Sequence, residues 1–309
     1  MKKDFISIEE LSTEEIYHIF DQAERLREEW GRSKQPPELL QGKSMGLIFE
    51  KRSTRTRISF EIGAHQLGIF SLFLSPQDIH LGTSESLEDT ARVLSRYVDG
   101  VVLRTYSHST VVEFAACSSV PVINGLTNLL HPCQAMADYY TLWRRGQLGH
   151  NTRVVYMGDG NNVCNSLMLG ASKIGIDLVV CTPEAYRPPS HIWDKVMQAG
   201  ARVQHVVDPR VAARGADVLY TDVWTSMGQE QEEQERLRVF GPYQINEHIL
   251  ALASKNAVVM HCLPAHRGQE ITDAVMDSPQ SIIWDQAENR LHIQKALLAT
   301  MLGGLTGQN

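Results

Sequence analysis

The sequence predicts an α/β protein: two doubly wound parallel-sheet domains, with the active site in the cleft between them. Short apolar runs alternate with helical-period segments along nearly the whole chain, the βαβ rhythm of parallel sheets covered by helices on both faces. At 309 residues the chain is about twice a typical domain. A polar, glycine-containing break, Arg144-Arg145-Gly146-Gln147-Leu148-Gly149-His150, stands before a fresh strand. One domain is therefore expected over residues 1–147 and a second over 148–285, with a C-terminal helix from about 286 to 309 packing back on the first.

The strand candidates, in order, are 45–49, 69–74, 100–104, 120–123, 153–157, 177–181, 202–207, 217–221, 257–261 and 281–284. Helical stretches lie between most of them, among them Ile58 to Leu67, Ala135 to Trp143 and a long final one, Gln286 to Leu302. Net charge is −7 with no basic block, which argues against a nucleic-acid partner. No apolar run approaches the ~20 residues of a membrane span. Met1-Lys2-Lys3-Asp4-Phe5 leads directly into an acidic amphipathic stretch, unlike a signal or transit peptide. The cysteines, 117, 133, 164, 181 and 262, are scattered and odd in number. With no C-x-x-C pair they indicate neither a disulfide framework nor a zinc site, and a reducing cytoplasm fits them.

The chemistry is expected at strand ends, where open α/β sheets bind ligands. Ser53-Thr54-Arg55-Thr56-Arg57 follows the first apolar strand and precedes a helix. Free backbone N–H groups and the helix dipole make such a start an anion seat, and hydroxyls and guanidinium forks match phosphate oxygens. Arg104 ends the strand Gly100 to Leu103 and is either a further phosphate arm or a surface charge. His131-Pro132-Cys133-Gln134 opens a helix with proline where its missing N–H costs nothing. His131 and Gln134 then stand at the helix start, either to hold a polar carbonyl-type group or simply to cap.

Gly158-Asp159-Gly160-Asn161-Asn162 starts like a dinucleotide fingerprint and fails it, since Val163 stands where glycine or alanine is needed and Cys181 is not the ribose-binding acid. It reads as a tight turn presenting Asn162. Asp222, in Asp222-Val223-Trp224-Thr225-Ser226-Met227-Gly228, sits at a strand's carboxyl end, where a carboxylate takes an ammonium or caps a turn. Ser226 and the backbone near Met227 are placed to donate to a carboxylate. The acidic run Gln229 to Glu235 reads as a solvated helix face. His261-Cys262-Leu263-Pro264 ends another strand, with Cys262 either reactive or a small buried residue. Arg290, early in the final helix, either reaches back to the site or is a surface charge.

Taken together, S-T-R-T, H-P-C-Q and H-C-L-P in this order resemble the aspartate/ornithine carbamoyltransferase family over nearly the whole chain, from Phe49 to the last helix. D-V-W-T-S-M-G and H-C-L-P are similar to its ornithine branch. The aspartate branch carries a lysine in the loop after the second strand and reads H-P-L-P; here no lysine occurs between Lys51 and Lys173, and position 262 is Cys. The putrescine branch lacks S-M-G, and the N-acyl-ornithine branches carry a proline-containing loop there. The resemblance implies carbamoyl transfer from carbamoyl phosphate to ornithine, with no cofactor and no metal, in arginine metabolism. It implies carbamoyl phosphate on Ser53, Thr54, Arg55, Thr56, Arg104, His131, Pro132, Cys133 and Gln134, with Cys262, Leu263 and Arg290 closing around it. It implies Gln77 reaching a neighbouring subunit's site in a homotrimer, and ornithine on Asn162, Asp222, Ser226 and Met227. The catalytic roles fall on Arg104, His131, Asp222 and Cys262.

Overall fold

The computed structural model describes residues 4–35, 40–51, 53–75, 85–225 and 232–303. The chain divides into two compact units, Met1–Tyr140 with Asn289–Asn309, and Thr141–Glu288. Gln77, Ser226 and Met227 lie outside the described residues.

The first unit runs α1 (Thr13–Ser33), β1 (Ser44–Phe49), α2 (Thr54–Gln66), β2 (Phe70–Leu74), α3 (Leu87–Leu94), β3 (Gly100–Arg104), α4 (His108–Cys117), β4 (Val122–Leu126) and the start of α5 (Pro132–Arg144). Its four strands are all parallel, in the order β2-β1-β3-β4. Strands buried on both faces need no polar alternation, and Val101, Val102 and Leu103 are accordingly wholly enclosed. Ser12 opens α1 with a reciprocal capping box to Glu15, and the helix buries Ile16, Ile19, Phe20, Ala23 and Leu26 at helical spacing. Phe5 forms a parallel bridge with Ile123, and Asn124 Nδ2 donates to the Ile6 carbonyl, so the N-terminal segment is held against β4.

The second unit continues through β5 (Arg153–Met157), α6 (Asn162–Ile174), β6 (Asp177–Cys181), α7 (Ser190–Gln198), β7 (Val203–Val206), α8 (Pro209–Ala213), β8 (Val218–Thr221), α9 (Glu233–Phe240), α10 (Glu247–Leu250), β9 (Val258–His261) and α11 (Asp273–Met276). Its five parallel strands follow the order β7-β6-β5-β8-β9. Helix α12 (Ile283–Gly303) ends this unit and, from Asn289, belongs to the first.

Three expectations need correction. Segment 281–284 is not a strand. Ser281 makes one parallel bridge to Val259, Ile282 N donates to the Val259 carbonyl, and α12 then begins at Ile283 with Asp285 in its first turn. Its apolar run looked like a buried strand, yet Trp284 is 58 % exposed, as one side of a helix start can be. The fourth strand lies at Val122–Leu126 rather than 120–123, because Asn124 and Gly125, which read as loop, are part of the ladder. A bulge after Leu103 absorbs Gly125, where a Cβ would stand 3.1 Å from the Leu103 carbonyl oxygen. Helix α2 starts at Thr54, four residues before Ile58, because Ser53 caps it by accepting from Thr56 N.

Candidate active site

Both sheets share one topological device. In the first unit β1 and β3 are neighbours whose onward connections leave in opposite directions, to β2 and to β4. In the second, β5 and β8 stand in the same relation, toward β6 and β9. A crevice forms outside the carboxyl ends of such strands. Phe49 and Arg104 end β1 and β3 in register, and Met157 and Thr221 end β5 and β8 in register. Every described candidate residue lies at or just past one of these ends or in a helix that starts there, except those that follow β4 and β9 and Arg290.

In the first unit the side chains build a cationic cradle at the start of α2. Ser53 Oγ caps α2 at 3.2 Å from Thr56 N, and Thr54 and Arg55 occupy the first turn. Thr56 Oγ1 accepts from Arg290 Nη2 at 2.7 Å and from Arg104 Nη1 at 3.4 Å. Arg290 Nη1 also donates to Gln134 Oε1, whose amide donates to Asp138 Oδ1 at 2.8 Å. Arg104 and Arg290 are 9 % and 4 % exposed, so neither is a surface charge. Burial, then Arg290 and Arg55, push the Arg104 guanidinium below its ordinary range. Arginine nonetheless stays charged in proteins, so the depression reflects first the cost of burying this charge and second its repulsion by Arg290 and Arg55, both of which an anion offsets.

Pro132 stands at the first position of α5, with His131 just before it. Burial, Arg290 and Arg104 hold the His131 imidazole well below its usual range, so it is neutral at pH 7. Cys133 is wholly enclosed, its thiol donating to the Asn124 carbonyl at 3.3 Å, and burial pushes it up to about 12. It offers the site its backbone at a helix start rather than a reactive sulfur. Lys51 belongs to the cradle and was not foreseen. It is 7 % exposed, donates to Asn128 Oδ1 at 2.6 Å and lies 4.8 Å over the Tyr106 ring. Burial and then Arg104 lower its ammonium. Its position, two residues before Ser53, was the available signal.

In the second unit Asp222 is 6 % exposed and engaged through both oxygens. Oδ1 accepts from Val223 N and from the Cys262 thiol, each at 2.8 Å, and Oδ2 accepts from Asn161 Nδ2 at 2.7 Å. Asn161 also caps α6, its Oδ1 accepting from Val163 N, Cys164 N and the Tyr156 hydroxyl. Asn162, the residue expected at the site, is the first of that helix, so the side chain that meets Asp222 is its neighbour's. An asparagine pair before a helix leaves the cap assignment open in sequence alone. Gly160 lets this turn close: a Cβ there would stand 2.4 Å from Pro188 N, and its own N donates to the Tyr186 carbonyl.

The H-C-L-P turn is held from behind. His261 Nδ1 accepts from Leu263 N at 2.8 Å and its Nε2 donates to Glu270 Oε1 at 2.9 Å, with both side chains wholly enclosed. Leu263 takes a left-handed φ of 58°, and the Leu263–Pro264 bond is cis. Asp222, His261 and Cys262 present donor atoms within 4.8 Å of one another. Both His261 nitrogens are already engaged, so the trio does not offer a metal a free imidazole lone pair.

A parallel α/β chain with an arginine-lined anion cradle at one switch point and a carboxylate–thiol pair at the other has the parts of a small-molecule transferase. The chain belongs to the aspartate/ornithine carbamoyltransferase family. Residues 3–144 match that family's carbamoyl-P binding domain, and residues 150–301 its Asp/Orn binding domain. Among similar proteins, an ornithine carbamoyltransferase of Methanoculleus marisnigri is 53 % identical over 98 % of this chain and 98 % of its own length. The solved ornithine carbamoyltransferase of Pyrococcus furiosus superposes with a TM-score of 0.92 at 47 % identity, covering 97 % of each chain. The anabolic enzyme of Campylobacter jejuni gives 0.91 at 37 % identity, covering 97 % of this chain and 99 % of its own.

Proposed function

We propose that the chain transfers the carbamoyl group of carbamoyl phosphate to the side-chain amine of L-ornithine, giving L-citrulline and phosphate. The observation that carries this reading is the buried cationic cluster of Arg104, Arg290 and Lys51 around the start of α2, set in a family of carbamoyltransferases.

The amine attacks the carbonyl carbon, a tetrahedral intermediate forms, and the C–O bond to phosphate breaks. Ser53, Thr54, Arg55, Thr56 and the N–H groups opening α2 hold the phosphate and neutralise it as it departs. Arg104, His131 and Thr56 polarise the carbonyl oxygen, and Gln134, with the backbone of Pro132 and Cys133, completes that end. Arg290 locks Thr56 and Gln134 into place and, with Cys262 and Leu263, closes around the carbamoyl group. Asp222 and Cys262 position the ornithine ammonium and take its proton. An alkyl ammonium has a pKa near ~10, so only about one in a thousand is free at pH 7 and its deprotonation limits the rate. Asn162, Ser226 and Met227 hold the α-amino acid head.

Assembly as a homotrimer, with Gln77 serving a neighbour's site, belongs to the same proposal. Exposed apolar side chains on the edge strand β2 and on α2 support it: Phe70 is 69 %, Ile58 52 % and Leu72 44 % exposed. No described helix is long and apolar enough to cross a membrane, which fits a cytoplasmic enzyme.

The deciding experiment is citrulline formation from carbamoyl phosphate with ornithine, putrescine, aspartate and N-acetylornithine side by side. Ornithine is expected to exceed the others in kcat/KM by at least about 10³, since a site built for an α-amino acid head leaves buried polar groups unpaired with the rest. Preference for another amine overturns the proposal.

A further inference from the structure

Lys295 lies in α12, one turn and a half beyond Arg290, and is 1 % exposed. Its ammonium donates to Gln66 Oε1 at 2.9 Å and, more weakly, to the Leu26 carbonyl at 3.4 Å. Among the described residues no carboxylate comes within ion-pair distance of it. An enclosed cation satisfied only by neutral oxygens is costly, and it calls for an explanation. The neighbours add to the cost: burial, then Lys34 and Arg27, push the ammonium down to about 8, with Glu29 opposing them. Carbamoyl transfer has no use for this group. Thr54, at the cradle, and Gln66, beside Lys295, stand at opposite ends of α2, about 18 Å apart along the helix.

Space adjoins the charge. A cavity of about 260 Å³ opens against Lys295 and Gln66, with Leu26, Trp30 and Leu67 supplying apolar wall. Glu29 on its rim pairs with Arg25 at 3.8 Å. Gly63 allows this approach of α12 to α2: a Cβ there would stand 3.3 Å from Lys295 Cγ. The site therefore offers one cation, one amide and a hydrophobic wall, and its one carboxylate, Glu29, is paired with Arg25 rather than with Lys295.

We propose that this cavity is a second ligand site, distinct from the carbamoyl-transfer machinery, for a small monocarboxylate with an apolar body. The carboxylate takes the remaining N–H of Lys295 and the Gln66 amide, and the body lies on Leu26, Trp30 and Leu67. Occupation supplies the missing counter-charge at the far end of α2, which carries Thr56, and one and a half turns along α12 from Arg290.

Phenylacetate is the probe, titrated calorimetrically into the full chain with inorganic phosphate at saturation to occupy the cradle. Saturable binding at one per chain is expected, with neutral phenylacetamide at least about tenfold weaker. Lys295→Met is expected to abolish it. Gln66→Glu is near-isosteric, sets a built-in carboxylate beside Lys295 and is expected to abolish it too, while carbamoyl transfer at saturating substrates stays unchanged. Absence of saturable binding, equal binding of the amide, or binding that survives in Gln66→Glu overturns the proposal; the last decides the matter even where Lys295→Met does not fold.

Discussion

The Thr56 hydroxyl is the hinge of the cradle's geometry. Its oxygen accepts from two guanidiniums, Arg104 and Arg290, so its own proton is directed away from both. Thr56→Val keeps the shape, removes the acceptor and leaves two buried cations to find other partners. Its kcat/KM for carbamoyl phosphate is expected to fall about 10²-fold or more, the scale of one lost electrostatic donor. Steady-state kinetics at fixed ornithine would show it, and near-wild-type values would remove Thr56 from the site. The neighbouring imidazole makes a separate prediction. A lowered folded pKa means that His131 stays neutral in the native state while the unfolded chain binds a proton below about 6.5. Its contribution to stability is therefore complete above that value and is lost as pH falls through it. His131→Gln is expected to show a shallower loss of stability than the native chain between about pH 6.5 and 5, measured by denaturant titration. The rate with ornithine should instead rise from pH 7 toward about 9, following the amine. A plateau over that interval would contradict the role given to its deprotonation.

Elements differ in how openly their sequences announce them. Apart from β4, the strands of both sheets read directly, because parallel strands buried on two faces are uninterrupted apolar runs such as Val101-Val102-Leu103 or Leu178-Val179-Val180. Helix starts were harder. Ser53 as a cap and Pro132 as a first residue follow local rules, but whether Asn161 or Asn162 caps α6 is settled by the Tyr156 hydroxyl and by Asp222, the latter 61 residues away. Glu270 was illegible for the same reason, and Lys51 legible only by its nearness to Ser53: their contacts are with partners such as His261 and Asn128. Cys262 reads alike as packing or chemistry because the Asp222 oxygen its thiol meets is 40 residues away. The Gly158–Asn162 turn shows a glycine motif whose cause is packing rather than a nucleotide. Gly160 abuts the Arg187–Pro188 backbone, where no side-chain atom can be accommodated without moving the main chain. Gly160→Ala is expected to destabilise the fold by about 2–4 kcal/mol, and to raise the ornithine KM more than the carbamoyl phosphate KM because Asn161 is displaced from Asp222. A thermal melt paired with both KM values measures this, and equal rises in the two would detach the turn from the amine.

At the scale of the whole molecule, the proposed trimer turns an arrangement of subunits into a count of working sites. If Gln77 completes a neighbour's cradle, each site draws Arg104 from one protomer and Gln77 from the next. Arg104→Ala and Gln77→Ala chains are then each inactive in pure trimers. Mixed at equal amounts through unfolding and reassembly, three-quarters of closed three-fold rings contain both chains. In every such ring one junction of the three joins an intact Arg104 to an intact Gln77, whichever chain is in the majority. Activity should therefore return to about one quarter of the native value, and no mixing ratio should exceed that. A dimer built on the same exchange would give the same quarter, so the three-fold count is read from the mass of the assembly in solution, whereas sites complete within one protomer would regain nothing. Lysine at Phe70 and Ile58 in both chains supplies the control. Charges on the exposed apolar strand and helix should disperse the rings, and the recovered quarter should vanish with them while each chain keeps its folded circular dichroism spectrum.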